Sequence, residues 1–294
     1  SFEVTEAMVQ QYRSNIELVA QQKQSKLAPY VRREGIHAEY EYFDQIGPVE
    51  AQPKGGRHSD TPLMSTPHMR RRLTTHGYNW ADMVDTADRL RMLADPTGPY
   101  TVNAVMAFNR AKDQVIIDAL FGTAQTGKEG KTSVAFPNTQ TITTAGATGV
   151  TTPTDGLTIE KLLAAREKMW KNEVVEDGMP LICAVSAYQL RELLNTTEVK
   201  NADYNTVRAL AQGQVDTFMG FKFVRTEKLP YDGTTRDCAI WCPTGLILGV
   251  AEDIRVKVSE RADKNYSQQV YVEMDLGAVR MEEVKVIKVR CKES

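Results

Sequence analysis

The chain has 294 residues, 41% of them hydrophobic and 25% charged, the balance of a folded protein with enough apolar content for one large core or two ordinary ones. Its 36 basic and 38 acidic side chains leave a formal charge of −2, which excludes the basic excess of a protein that grips nucleic acid by releasing counterions. No apolar run reaches the roughly 20 residues that span a bilayer, and Ser1-Phe2-Glu3-Val4 lacks the basic and apolar regions of a secretion signal.

Residues 5–27 read as a helix, because Val9, Tyr12, Ile16 and Val19 recur at helical spacing and form one thin apolar seam. Such a helix needs a surface to lie on, either its own domain or a partner. Residues 44–68, DQIGPVEAQPKGGRHSDTPLMSTPH, cannot be a continuous helix, since Pro48, Pro53, Pro62 and Pro67 alternate with Gly47, Gly55 and Gly56. The flanking stretches 39–43 and 69–75 can be extended, so the segment is expected to be a long arm or hairpin that packs on another subunit. A linker is the rival reading, but a linker joins two complete domains, and the 43 residues ahead of it are too few to make one.

Residues 102–121 form the clearest helix, with Val105, Phe108, Val115, Ile116, Ala119 and Leu120 on one side and Pro99 just ahead of its start. At 1.5 Å per residue it is a rod of about 30 Å. The next stretch, GTAQTGKE (122–129), satisfies G-x-x-x-x-G-K but places Glu129 where a phosphate-binding loop needs the Ser or Thr that holds magnesium. It also follows a helix rather than a strand, so no helix N-terminus stands behind it to supply donors. The Thr/Gly-rich run to 157 offers one short strand, at 133–136.

A helix is expected over 158–174 with Ile159, Leu162, Leu163, Met169 and Trp170 inward, and Asp155 and Glu160 near its positive end. A buried strand follows at 180–185, then a helix over 186–194 capped by Ser186, then a helix near 206–211. Residues 213–230, GQVDTFMGFKFVRTEKLP, read as a buried turn at Met219-Gly220 entering a strand, with Phe218, Phe221 and Phe223 as packing aromatics. Strands are expected at 222–225, 238–242, 246–250, 254–258, 268–276 and 283–290. In the fifth, Val270, Val272, Met274 and Leu276 alternate with Tyr271, Glu273 and Asp275, so one face is buried. The fold class is α+β, with helices in the middle and antiparallel strands late.

Chemistry is scarce along this order. The four cysteines, Cys183, Cys238, Cys242 and Cys291, are scattered in a way that suits reduced thiols in a cytosolic setting. Cys238 and Cys242 share a strand face, but no second Cys/His pair lies near them, so they read as buried thiols rather than metal ligands. His37, His58, His68 and His76 sit in or beside the arm. Without H-x-x-x-H or H-E-x-x-H spacing they suit a solvated loop better than a metal cluster. Neither G-x-S-x-G nor a dinucleotide-binding turn occurs. No catalytic, cofactor-binding or metal residue is assigned.

The order itself carries the signal: polar N-terminal helix, Pro/Gly arm, long helix, Thr/Gly crossover, mixed middle and late strands. It resembles that of the major capsid proteins of tailed bacteriophages, which share the Hong Kong 97-type fold. The resemblance implies an N-terminal arm over 1–36, an extension loop over 37–76 and a peripheral domain with a spine helix over 77–130. It further implies an axial domain over 131–254 and return strands of the peripheral domain over 255–294, with 213–230 as an axial-domain turn bent by a glycine pair.

The implied role is structural: a subunit that assembles with copies of itself into the hexamers and pentamers of an icosahedral head around double-stranded DNA. Assembly in the host cytoplasm with a scaffolding protein and a portal, and a decoration protein on the shell, come with that role. A small Ser1 fits loss of an initiator Met, so the scaffold is expected to be a separate protein. Expected contacts between subunits are Tyr12 and Ile16 on the arm, Pro48, Lys54 and Pro62 on the loop, and Arg70, Arg71 and Arg72 at its base. Some members of the family crosslink a loop lysine to a neighbour's asparagine. Lys54 is the only lysine in 37–75, on a glycine-rich tip ill suited to holding an amine in place, so no crosslink is expected. Encapsulins, bacterial compartments of the same fold, are the alternative, and a phosphate-binding enzyme using 122–129 is the reading from another class.

Overall fold

The computed structural model describes residues 21–57, 60, 63–84, 97–143, 155–174, 179–195 and 217–293. Its first strands are β1 (Arg32–Gly35), β2 (Tyr40–Ile46), β3 (His68–Thr74) and β4 (His76–Val84), followed by helix α1 (Thr97–Phe121). Short strands β5 (Ala124–Thr126), β6 (Thr132–Val134) and β7 (Thr141–Ile142) lead to α2 (Ile159–Lys171), β8 (Leu181–Val185) and α3 (Ala187–Asn195). The chain ends in strands β9 (Thr217–Phe218), β10 (Phe221–Arg225), β11 (Thr235–Trp241), β12 (Leu246–Arg261), β13 (Ser267–Arg280) and β14 (Val286–Lys292).

These strands form three sheets, ordered β1-β12-β13-β4, β7-β14-β11-β8-β10-β9 and β2-β3-β5-β6. The first is a long twisted blade on which α1 lies. Val270, Val272, Met274 and Leu276 of β13 are at most 1% exposed against the helix, the alternation expected for that strand. The second sheet carries a two-sided core: every residue of β8 is buried, and β11 is nearly so. The third holds the 39–75 hairpin against the body. Three pairs run parallel, β1 with β12, β8 with β10 and β7 with β14, so the late strands are mixed rather than uniformly antiparallel.

Several elements differ from expectation for identifiable reasons. Residues 5–20 of the N-terminal helix lie outside the described residues. Residues 21–27 are not helical, and Pro29 sits in a single 3-10 turn, Ala28–Tyr30. Helix α1 begins earlier than the periodicity suggested, because Pro99 in its first turn needs no N–H donor there. The helix near 206–211 lies outside the described residues. Strands 246–250 and 254–258 are one strand, β12: the polar Glu252-Asp253 step is absorbed as irregularities in its register with β13 rather than as a turn. The strand therefore runs unbroken through residue 254, and β14 joins β11 rather than β13. On α2, Leu162, Ala165 and Met169 face inward. Leu163 and Trp170, expected inside, are 51% and 55% exposed one position off that seam.

One close approach organises the joint between the first and third sheets. Gly249 of β12 and Gly277 of β13 stand opposite each other, and the gap they leave admits Ile36, Leu73 and the backbone of Thr74. A Cβ on Gly249 would meet Ile36 Cδ1 at 2.1 Å, the end of a flexible side chain; a Cβ on Gly277 would meet the Thr74 carbonyl oxygen at 2.1 Å, a backbone atom that cannot turn aside. Gly277→Ala is therefore expected to destabilise the protein by about 1–3 kcal/mol, and Gly249→Ala by less. Thermal or denaturant unfolding of the two variants checks the order; equal stability of Gly277→Ala and the parent would refute the close approach.

Candidate functional site: an assembly surface

Strands β2 and β3 pair in an antiparallel ladder from Tyr40 opposite Thr74 to Ile46 opposite His68, as the extended flanks of the arm led one to expect. Gly47 N donates to Pro67 O at 2.9 Å and closes the ladder; the described residues of 48–66 beyond it form no strand. Apolar side chains are left in solvent along this hairpin: Ile46 is 71% exposed, Val49 58%, Leu63 100% and Met69 52%. A single two-stranded hairpin is marginal in water. Its outer face is reinforced by a ladder of rings and guanidiniums. Tyr40 and Tyr42 meet edge to face, Arg70 lies over Tyr42, and Arg72 lies over Tyr40. Arg70 also binds Asp44 at 2.6 Å, and that hydrogen bond holds the exposed Asp44 carboxyl below the usual carboxylate range.

The hairpin's root is a buried ionic knot. Because side chains alternate along β3, Arg71 points opposite to Arg70 and Arg72, into the body, where it is 7% exposed. Its Nη2 donates to both oxygens of Glu283 at 2.7 Å and its Nε to the Met281 carbonyl at 2.9 Å. Arg280, fully buried, donates through Nη1 to the carbonyls of Leu120 (2.9 Å) and Gly122 (2.8 Å), satisfying the C-terminal end of α1. Its Nε lies 3.7 Å from Glu283 Oε1 and its guanidinium sits over the Phe136 ring. Burial lowers the Arg280 pKa below the usual arginine value, with the Glu283 charge opposing. Arg71, singled out with Arg70 and Arg72 as a contact between subunits, is engaged within its own subunit. Period-two alternation at 70–72 was the available signal for this.

The remaining residues singled out from the sequence scatter. Tyr12, Ile16, Pro62 and His58 lie outside the described residues. Pro48 and Lys54 are exposed on the hairpin's far end, and His68 is exposed at the far end of the ladder, opposite Ile46; His37 and His76 are exposed near its root. The GTAQTGKE stretch folds as β5 and its turn toward β6, where Gly127 and Gly130 take positive φ and Tyr42 Oη donates to the Glu129 carbonyl. Those glycines serve a hairpin that supports β3, so their amides do not converge as a phosphate cradle would require. All four cysteines are buried, and burial pushes the Cys183 thiol well up, away from the thiolate a nucleophile needs.

Between Phe218 and Phe221 the chain turns through Met219 (φ 53°) and Gly220 (φ 78°), the two left-handed residues of a tight hairpin joining β9 to β10. The bend therefore uses Met219 and one glycine, not a glycine pair. Phe218, Phe221 and Phe223 are buried as expected, while Gly220 itself is exposed. Arg166 on α2 donates to Met219 O at 2.8 Å and stacks on the exposed Trp170, so α2 and this turn present one face.

Comparison with known proteins accords with these features. A search of curated protein sequences finds no match. A capsid structure of cyanophage P-SCSP1u is similar at a TM-score of 0.75 and 15% identity, over 98% of this chain and 94% of that one. A capsid of Ralstonia phage GP4 gives 0.75 and 11%, over 97% and 95%. A chain from Mycobacterium phage Che8 gives 0.71 and 14%, over 96% of each. The family described as phage capsid protein matches residues 4–293. With an exposed hairpin anchored at its root, a long helix on a twisted blade and a near full-length family match, this chain has the Hong Kong 97-type fold and belongs to the phage capsid protein family, as a structural protein of the capsid.

Proposed function

We propose that this subunit builds an icosahedral phage head through interlocked noncovalent contacts, each copy laying its extension hairpin on a neighbour. The observation that carries this reading is the hairpin itself, rigidly rooted at Arg71 and Glu283 yet exposing Leu63, Val49 and Ile46 at its far end. Apolar side chains held out on a stiff support suit burial against another chain. In this reading residues 1–36 are the arm and 37–76 the extension loop. The blade of β1, β12, β13 and β4 with α1 forms the peripheral part, and the sheet containing β8, β11 and β14 the axial part. In this reading β12 runs unbroken through residue 254, and β14 pairs with β11.

Copies of this chain in hexamers and pentamers are the principal partners. A scaffolding protein, a portal and a decoration protein complete the assembly, which takes place in the host cytoplasm. In this reading the role is structural rather than enzymatic, as the match to the phage capsid protein family supports. The match to phage capsid proteins favours a head over a cargo compartment.

Replacing 47–67 by a two-residue turn at the Gly47–Pro67 closure should leave a folded subunit that fails to close shells. Electron microscopy of the variant decides this, and normal particles would overturn the reading. Denaturing gels of assembled particles should give one band near the monomer mass, since Lys54 is exposed and unconstrained; a multimer ladder that vanishes in Lys54→Ala would contradict it. Packaged DNA should be held weakly and without sequence preference. The purified subunit should leave duplex DNA unshifted at sub-micromolar concentration in about 0.15 M salt, and a clear shift would refute this.

A further inference from the structure

Asp113, midway along α1, is 0% exposed, and all four hydrogen bonds to its carboxylate come from one short run of chain. Oδ1 accepts from Ser25 Oγ at 2.5 Å and from Leu27 N at 3.1 Å; Oδ2 accepts from Lys26 N at 3.0 Å and from Gln22 Nε2. Every donor is uncharged. The charged side chains nearby are engaged elsewhere: Lys112 reaches Asp253 Oδ1 on β12 at 2.9 Å, Lys26 Nζ the Arg225 carbonyl at 2.9 Å, and Arg110 the Gln21 side chain at 2.5 Å. Asn109 adds a bond to the Lys23 carbonyl and Asn103 accepts one from Gln21.

A carboxylate buried without a cation is costly unless its lone pairs are filled, and here residues 22–27 fill them. The same bonds explain why 21–27 is not helical: the amides of Lys26 and Leu27 are spent on Asp113 rather than on carbonyls four residues back. The strap contributes little to the core. Lys23 and Gln24 are exposed, Gln22, Ser25 and Lys26 half-buried, and the first fully buried side chain is Leu27. Its hold is polar and focused on one group.

We propose that Asp113 is a latch that clasps residues 22–27 to α1, and that its opening frees the N-terminal segment as far as Leu27 while the body stays folded. The latch fixes where residues 22–27 lie on α1. It is a property of the single subunit and does not rest on the capsid reading.

Lys23 and Lys26 make the strap a trypsin substrate whenever it opens, so limited trypsin digestion of the purified, full-length subunit measures the latch. Asp113→Asn keeps the shape but turns an amide toward donors that need an acceptor. Cleavage after Lys23 and Lys26 should rise about tenfold or more, with the circular dichroism spectrum and thermal midpoint of the body retained. Ser25→Ala, which removes one donor, should give a smaller rise. Cleavage of Asp113→Asn at the parent rate would overturn the proposal. If Asp113→Asn does not fold, the strap-side pair Gln22→Ala with Ser25→Ala decides: faster cleavage at an unchanged thermal midpoint supports a latch. An unchanged rate, or cleavage only as fast as global unfolding, overturns it.

Discussion

Glu283 places one carboxylate between two guanidiniums, and the arrangement of the subunit depends on it. Arg71 brings the root of the extension hairpin to that carboxylate, and Arg280 brings the end of α1 and the end of β13. Buried charge is tolerated only when paired and hydrogen-bonded, and losing one partner of such a group costs about 3–5 kcal/mol where burial is complete. The cost here is smaller, because the Glu283 side chain keeps 23% of its exposure. Geometry matters more than energy at this point. Arg71 uses both Nη2 contacts and its Nε, so its guanidinium plane is fixed, and with it the direction in which β3 leaves the body.

A division of labour follows between how the subunit is held and what it offers. The hairpin's inner face is committed to the knot and to the small cluster of Ile36, Leu73, Ala124, Ile247, Val279 and Met281. The outer face keeps Arg70 and Arg72 stacked on tyrosines, where exposed ion pairs add little stability but stiffen the ladder. Beyond the ladder Val49 and Leu63 stay exposed among the described residues.

Periodic features were legible in the sequence, and long-range pairings were not. The α1 seam and the alternation of β13 each declare themselves within a dozen residues, and so do the Ser186 cap of α3 and the turn-rich hairpin. β5 and β7 hide in a Thr/Gly run because strands of two or three residues carry no period. The exposure of Leu163 and Trp170 is set by what α2 packs on, which its own spacing only partly dictates. Arg71 with Glu283, 212 positions apart, and Asp113 with Leu27, 86 apart, leave no local trace, since each residue alone reads as a solvated charge. For Arg70, Arg71 and Arg72 the sidedness of a strand is more informative than their shared charge.

Gly277 makes the joint beneath the hairpin a contact of backbone on backbone, against the Thr74 carbonyl. Side-chain contacts yield by changing rotamer; backbone against backbone does not, so the hairpin acts as a lever on a hard fulcrum. Its ladder of seven residue pairs spans six steps of about 3.4 Å and reaches about 20 Å from that fulcrum before the chain turns back. A tilt of about 10° at Thr74 therefore carries the end of the ladder through about 3.5 Å, a large part of the spacing between neighbouring strands. Displacements too small to break the contact between Gly277 and Thr74 are thereby magnified at the hairpin's end.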